Sequence, residues 1–321
     1  MAQERAGLFI PRPGMQFTTA FTNEFGKDAE SLTTIKSVTD DAVSIEYSSS
    51  RGVSVRRELL VTDRREAAAY VLGYESEMPN VIPGTTSLGI STRVLSELRS
   101  RGSARLTLVY SHKLAVIECE LTRSSEVMMR IIVNDRIVDT QALHARARCG
   151  EDMRTAWGDF YFANDLQQPL LIESSLNFSW EKQSRTERIT RVIDGRGVRP
   201  EMEQALRTKR QYDAYGLRFS FDSAELRPES VHLVREIAQM LRDHAEWKMQ
   251  IAGHTDSTGG PDYNNGLSER RAEAVRLALV EYGVEAWRLR SEGRGDGQPK
   301  ADNDTLAGRA INRRVEFRRL D

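Results

Sequence analysis

The fold of the second half of the chain is decided by Gly253-His-Thr-Asp-Ser-Thr-Gly259, followed by Tyr263-Asn-Asn-Gly-Leu-Ser-Glu-Arg-Arg-Ala-Glu-Ala-Val275. The residues 248–253 form a short, mainly apolar run that predicts a strand ending just before Asp256. Beyond the polar loop, Leu267, Val275 and Leu279 recur at helical spacing. This order of strand, polar loop and helix is typical of sheets in which ligand groups gather at the strand end.

The flanking segments extend this alternation over residues 212–321. Leu217, Phe219 and Phe221 share one strand face, and Pro228 opens a second helix. Residues 288–292 and 315–320 read as two further strands. The order βαβαββ predicts an α/β sandwich in which helices cover one face of a mixed sheet. We therefore assign residues 212–321 to one domain.

Residues 1–180 have the period of two that is typical of half-buried strands. Apolar side chains alternate over 105–110, 113–121 and 127–133, and Asn134-Asp135 marks a turn. Two stretches have helical spacing instead, 63–74 and 91–101, the second with Ser91 as N-cap. These patterns predict a β-rich domain, either a sandwich or a small barrel, with short helices.

Residues 181–211 differ from both halves and are assigned to a linker. The segment 181–188 is highly charged, Asp194-Gly-Arg-Gly197 interrupts regular structure, and 200–210 reads as a short polar helix. The predicted architecture is therefore an α+β protein of two domains.

The composition excludes several classes of function. The 321 residues include 46 basic and 47 acidic side chains, so no strong field attracts nucleic acid. Apolar runs are too short for a membrane-spanning helix. Motif spacing indicates neither a metal cluster nor an activated nucleophile, so we expect no metal, no cofactor and no enzyme.

Asp256 and Arg271 are the candidate binding residues. Asn264, Ser268 and Arg271 share one helix stripe, which begins directly after the Asp256 loop. A carboxylate and a guanidinium on opposite sides of a groove complement a zwitterion, with ammonium at Asp256 and carboxylate at Arg271. Spacing alone leaves two other readings open, a direct salt bridge between them and a helix-dipole role for Asp256.

Four blocks of this half resemble the C-terminal domain of the OmpA family, which peptidoglycan-associated lipoproteins and flagellar stator subunits share. They are the stretch quoted above, Phe221-Asp-Ser-Ala-Glu-Leu-Arg-Pro-Glu-Ser230, Gly293-Arg-Gly-Asp-Gly-Gln-Pro299, and Asn303-Asp-Thr-Leu-Ala-Gly-Arg-Ala-Ile-Asn-Arg-Arg-Val-Glu316. The resemblance covers about 110 residues, from Tyr212 to the C-terminus.

The resemblance implies noncovalent binding of peptidoglycan through the diaminopimelate of its stem peptide, which tethers the cell envelope to the wall. It assigns the ammonium to Asp256 and the carboxylate to Arg271. It implies supporting roles for Asp222, Ser223, Ala224, Thr258, Asn264, Leu267 and Arg313. Of the adjacent Arg313 and Arg314, we expect the first to reach the site.

The resemblance also implies a periplasmic, outer-membrane-associated location with the leader removed. If the chain is exported and the strands carrying Cys119 and Cys149 are neighbours, a disulfide is expected; otherwise both are small buried apolar groups.

The first half weakly resembles soluble regions of envelope OmpA-like lipoproteins, at Val133-Asn134 and Pro169-Leu170-Leu171. An alternative function is that this half binds a lipid or an envelope protein, and that the second half only places it at the wall. The aromatic residues offered for such a pocket are Phe160, Tyr161, Phe162, Phe178 and Trp180.

Overall fold

The computed structural model describes residues 9–22, 28–49, 52–72, 78–110, 115–150, 155–181, 184–195, 197–220 and 222–321. The chain divides into two compact units. Unit 1 comprises Met1–Ile131 and Val138–Gly195, and unit 2 comprises Ile132–Ile137 and Arg196–Asp321. Within the described ranges, no helix combines the length and the apolar character that crossing a membrane requires.

The strands of unit 1 are connected into one sheet. They are β1 (Gln16–Thr22), β2 (Asp28–Val38), β3 (Ala42–Ser49), β4 (Ser54–Leu60), β5 (Ala69–Val71), β6 (Thr85–Thr86), β7 (Ser103–Tyr110), β8 (Ala115–Val133), β9 (Arg136–Cys149), β10 (Ala156–Ala163), β11 (Leu171–Phe178) and β12 (Arg185–Ile193). Their order is β4-β3-β2-β1-β12-β11-β10-β9-β8-β7-β5-β6. An additional pairing of β12 with β8 closes a ring of five strands, β8 to β12. The strand-rich character is as predicted. Of the two predicted alternatives, a sandwich or a small barrel, the two separate sheets of a sandwich are not seen, because the described strands are joined in one sheet.

Among the described residues of unit 1, local sequence signals predict one helix correctly and the length of another incorrectly. Helix α2 (Thr92–Arg101) has Ser91 as its N-cap, whose Oγ accepts a hydrogen bond from Val94 N at 3.2 Å. It buries Val94 and Leu98 as their spacing predicts. Helix α1 (Val61–Glu66) is shorter than predicted.

The prediction of one helix over 63–74 is wrong after Glu66. Residues Ala69–Val71 form β5, which pairs in parallel with β7. Tyr70 and Val71 are buried there. The hydrogen bonds and burial that the partner strand supplies outweigh the helix propensity of the alanines at 67–69. Residues 73 and 74 lie outside the described residues.

Two predicted strands of the first half are one long strand. The runs 113–121 and 127–133 both belong to β8, whose middle residues are exposed and polar. Asn134 and Asp135 form the predicted turn, with φ of 45° and 59°, a conformation that Asn and Asp tolerate. Lys113 lies outside the described residues.

The main core of unit 1 is packed between α2 and the sheet, and it contains both cysteines. Cys119 on β8 and Cys149 on β9 are joined in a disulfide. Phe160, Phe162 and Phe178 are buried in the same core. Tyr161 stacks on His144 at a ring-centroid distance of 4.6 Å.

The five aromatic residues proposed for a ligand pocket therefore do not act as one set. Phe160 and Phe162 fill the core because alternate residues of β10 point to the same face, and Phe178 joins them from the end of β11. Trp180 is 40% exposed and lies at the surface. The interpretation of these residues as a pocket is corrected to core packing.

Unit 2 is built from a four-stranded sheet and helices. Its elements are α3 (Arg199–Thr208), β13 (Gln211–Ala214), α4 (Val231–Asp243), β14 (Met249–Gly253), α5 (Pro261–Glu281), β15 (Leu289–Gly293), α6 (Leu306–Asn312) and β16 (Val315–Arg319). The strand order is β13-β16-β14-β15, with β14 and β15 parallel and the other pairs antiparallel. This is the predicted mixed sheet, with the short helix α6 added before the last strand.

The first strand of this sheet lies earlier than predicted. Strand β13 ends at Ala214, whereas Phe219 makes only an isolated bridge to Leu226. Leu217 and Phe219 pack in or against the core of unit 2 without extending the strand. Phe221 lies outside the described residues.

The linker predicted at 181–211 needs correction. Residues 185–193 form β12, which pairs with β1 and β11 near the centre of the large sheet. The predicted helix near 200–210 is present as α3, but Met202 and Leu206 are buried in the core of unit 2. The high charge of this segment does not mark a linker, because charged side chains of β12 have partners within the sheet, such as Glu173 for Arg188.

Candidate functional site

The candidate site lies where β14 ends and α5 begins. Two glycines allow the helix to pack directly on the strand ends. A Cβ atom at Gly253 would lie 2.2 Å from the backbone oxygen of Ser268, and one at Gly293 would lie 2.6 Å from Glu269 N. This close approach fixes the loop that carries Asp256 against the helix that carries Arg271.

Asp256 is a buried carboxylate, with 6% of the residue exposed. Its Oδ1 accepts a hydrogen bond from Thr258 N at 2.9 Å, and its Oδ2 accepts one from Arg313 Nη1 at 2.6 Å. The ion pair at Asp256 is thus made with Arg313. This ion pair differs from the alternative of a direct salt bridge between Asp256 and Arg271.

Arg271 is anchored from the opposite side. Its Nε donates a hydrogen bond to the backbone oxygen of Ser223 at 2.9 Å, and its guanidinium carbon lies 5.0 Å from the centre of the Phe219 ring. Hydrogen bond and cation–π contact together orient the guanidinium and tie α5 to the 222–224 loop.

The three residues of the predicted helix stripe, Asn264, Ser268 and Arg271, have two different roles. Asn264 is buried, and its Nδ2 donates to the backbone oxygen of Asp256 at 3.2 Å. Ser268 is also buried, and its Oγ accepts a hydrogen bond from Gly295 N at 2.9 Å. Asn264 and Ser268 therefore position loops, and Arg271 alone of the three brings a charge.

The structure places the other predicted residues around these groups. Asp222 is exposed and has a left-handed φ of 55°, while Ser223 and Ala224 are half-buried. Thr258 is exposed and contributes its backbone N–H, and Leu267 is buried. Of the adjacent arginines, Arg313 reaches Asp256, whereas Arg314 lies 3.4 Å from Asp213.

Two residues of this region were missed by sequence reasoning. Asn303 Oδ1 accepts hydrogen bonds from Ser257 N at 3.1 Å and from Asn312 Nδ2 at 2.9 Å, so it supports the loop after Asp256. Phe219 supports Arg271. Asn303 is the first residue of one of the four blocks that carry the resemblance, and this position was the signal that could have identified it as a residue of the site.

His254 is a buried neighbour of the site. Only 3% of the residue is exposed. Burial, followed by the nearby charge of Arg314, lowers the pKa of His254 to about 3. The carboxylate of Glu316 at 3.8 Å from Nε2 opposes this shift, but burial dominates. The imidazole is therefore neutral at physiological pH, and its role is structural.

Acid is expected to destabilise unit 2 through His254. The unfolded chain takes up the His254 proton near pH 6.5, whereas the folded chain takes it up only near pH 3, so stability falls as the pH drops through this window. One such group contributes about 1.4 kcal/mol per pH unit. Urea titrations from pH 7.5 to pH 4 are expected to give a shallower slope for His254→Gln than for the unaltered chain. His232→Gln is the control, because that side chain is 80% exposed; equal slopes in all three would contradict the prediction.

Residues 218–313 match the model of the OmpA family. Over 101 residues the chain is 46% identical to Outer membrane porin F of Pseudomonas aeruginosa, covering 31% of the chain and 29% of that protein. Over 99 residues it is 42% identical to Probable lipoprotein YiaD of Escherichia coli, covering 31% and 45%. The chain thus spans less than half the length of these curated relatives.

The chain is also similar to a solved structure over about a third of its length. The peptidoglycan-associated lipoprotein from Burkholderia pseudomallei is 32% identical, with 35% of this chain and 90% of that chain covered and a TM-score of 0.31. The family match includes Asp256, Arg271 and Arg313. The resemblance predicted from the four blocks is confirmed, and residues 218–313 are an OmpA family domain.

Proposed function

We propose that the OmpA family domain of this chain binds peptidoglycan noncovalently, through the diaminopimelate of an uncrosslinked stem peptide, and so tethers the cell envelope to the wall. The observation that carries the proposal is the charged arrangement of Asp256, Arg271 and Arg313 where β14 meets α5. The domain acts by holding its ligand, without breaking a bond.

The chemistry follows from the ligand's free amino-acid centre. Its ammonium approaches Asp256, and its carboxylate approaches the guanidinium of Arg271. A charge-assisted hydrogen bond contributes roughly 1.5–3 kcal/mol. Arg313 holds the Asp256 carboxylate in place before the ligand arrives, which lowers the cost of organising the site.

A periplasmic, outer-membrane-associated location belongs to the same proposal. Its support is the nature of the curated relatives, which include an outer membrane porin and lipoproteins. At such a location, reversible binding to the wall through one small domain leaves unit 1 available for other contacts.

Competition for purified sacculi tests the ligand assignment. The full chain is expected to cosediment with sacculi and to be released by millimolar meso-diaminopimelate. Cadaverine, which has only ammonium groups, and pimelate, which has only carboxylates, are the matched controls and are expected to release far less. Release by pimelate as effective as that by diaminopimelate would contradict recognition of a zwitterion, and a chain that stays in the supernatant would contradict wall binding.

A further inference from the structure

A cavity of about 300 Å³ lies on one face of the large sheet in unit 1. The strand register brings its lining together. Phe21 pairs with Glu187 between β1 and β12, Phe17 pairs with Thr33 between β1 and β2, and Thr33 pairs with Tyr47 between β2 and β3. Paired residues point to the same face, so these side chains share one surface across four adjacent strands.

The lining combines aromatic rings with hydroxyl groups. Phe17, Phe21 and Tyr47 contribute rings, and Tyr70 adds a fourth from β5. The hydroxyls come from Thr19, Ser31, Thr33, Ser49 and Ser87. A cavity of this size and mixed character matches the lower end of sites for small organic ligands.

Glu187 is the acidic group of this cavity. Among the described residues, no side chain makes a hydrogen bond or ion pair with its carboxylate. Burial raises the pKa of Glu187, and the more distant charge of Arg185 opposes the shift only in part. Glu187 is half-buried, and a carboxylate that is partly removed from water without a partner is costly, so an arriving cation relieves that cost.

The neighbouring cation does not neutralise Glu187. Arg188 follows it in β12, and successive side chains of a strand point to opposite faces. Arg188 is paired with Glu173, and its Nη2 donates to the backbone oxygen of Arg130 at 2.9 Å. Arg188 is among the residues that line the cavity, but its guanidinium is paired with Glu173 and not with Glu187.

We propose that this cavity binds an organic ammonium ion, with the nitrogen at Glu187 and the apolar body against the aromatic rings. Aromatic faces attract cations, and a carboxylate forms a strong charge-assisted hydrogen bond with an N–H donor. The same carboxylate repels anions. From β12 to β3 the lining spans three strand spacings, about 14 Å, which suits an ammonium group carried on a compact body. This site is separate from the wall-binding proposal, since all its residues belong to unit 1.

Calorimetric titration of the full chain with 2-phenylethylammonium tests the proposal. Binding at least tenfold tighter than that of the neutral 2-phenylethanol is expected, and 3-phenylpropionate is expected not to bind. Glu187→Gln should weaken ammonium binding ten- to a hundredfold. Glu46→Gln removes an exposed carboxylate of β3 that is paired with Lys36, and should leave binding unchanged. Failure of 2-phenylethylammonium to bind at millimolar concentration, or equal affinity for Glu187→Gln, would overturn the proposal.

Thermal unfolding provides a readout that a purely structural glutamate would not give. Because the folded-state pKa of Glu187 is raised, its contribution to stability is present in acid and lost as the pH rises through that pKa. Glu187→Gln is therefore expected to raise the Tm at pH 7.5 and to have little effect below about pH 4.5. A lower Tm at pH 7.5 would show that a partner satisfies the carboxylate, and would overturn the proposal.

Thr19→Leu gives an independent variant in which the carboxylate is retained. Thr19 is half-buried and lines the cavity, so the larger side chain occupies space that the ligand needs. Weakened binding of 2-phenylethylammonium is expected. Unchanged affinity would place the ligand elsewhere and would also count against the site.

Discussion

Alanine at both Asp256 and Arg271 is expected to abolish retention of the chain on purified sacculi. Each substitution removes one charged partner of the ligand's amino-acid centre, at a cost of roughly 1.5–3 kcal/mol. Together they amount to about 3–6 kcal/mol, which corresponds to a hundredfold to ten-thousandfold loss of affinity. Cosedimentation over a range of sacculus concentrations measures this loss directly.

The matched control is Glu269→Ala together with Arg270→Ala. Both side chains are exposed on the same helix directly before Arg271, and the pair also removes one negative and one positive charge. This variant is expected to bind as the unaltered chain does. If both double variants lose retention equally, the general charge of α5, and not the Asp256–Arg271 site, is responsible.

Folding of the Asp256 variant needs a separate measurement. Removing the carboxylate leaves Arg313 without its partner at 2.6 Å, which destabilises the loop as well as the ligand site. Arg271→Lys isolates binding more cleanly, because it keeps a charge but loses the planar donors that contact Ser223. We expect it to retain its fold and to bind sacculi about tenfold more weakly. Binding at full strength would remove Arg271 from the site.

Loss of the disulfide is expected to lower the free energy of unfolding of unit 1 by about 3–4 kcal/mol. The bond joins residues separated by 30 positions, and a cross-link of that span restricts the unfolded chain considerably. The change is measured by urea denaturation of the double variant Cys119→Ala and Cys149→Ala, in which the unfolding transition of unit 1 is monitored.

Reduction of the disulfide in the unaltered chain distinguishes the stabilising effect of the cross-link from that of core packing. Both sulfur atoms remain in the buried core after reduction, so any loss of stability then comes from the broken bond. A similar loss in the reduced chain and in the double variant is expected. A loss below about 1 kcal/mol in both would contradict a stabilising role, and free thiols in unreduced protein would contradict the bond itself.

Most strands and helices of unit 2 could be predicted from its sequence. Its strands and helices are short, neighbouring elements follow one another closely, and their periods switch clearly between two and 3.6 residues. The Asp256 loop and the Arg271 helix were located in this way, and the family match covers both. Spacing did not reveal the ion pair of Asp256 with Arg313, because Arg313 lies 57 positions further along the chain, and only the family resemblance brought Arg313 to the site.

The strands and helices of unit 1 could be predicted from the sequence only in part. The strand character and the Ser91 cap depend on residues close together in sequence, and both were predicted. The central position of β12 was missed, since its partner β1 lies about 170 positions earlier and its charged residues resemble those of a linker. The helical prediction at 69–71 failed for the same reason, because pairing with β7 overrides local propensity.

The sequence by itself determined the family of residues 218–313, the alternation of elements in unit 2 and the strand-rich character of unit 1. These properties depend on periodicity, caps and motif spacing, which are local in the chain. The tertiary structure alone decided the ion pair of Asp256 with Arg313, the pairing of β12 with β1, and the enclosure of Glu187 beside Phe21. Each of these joins residues that are far apart in sequence, and only chain folding determines which distant groups share a low-dielectric environment.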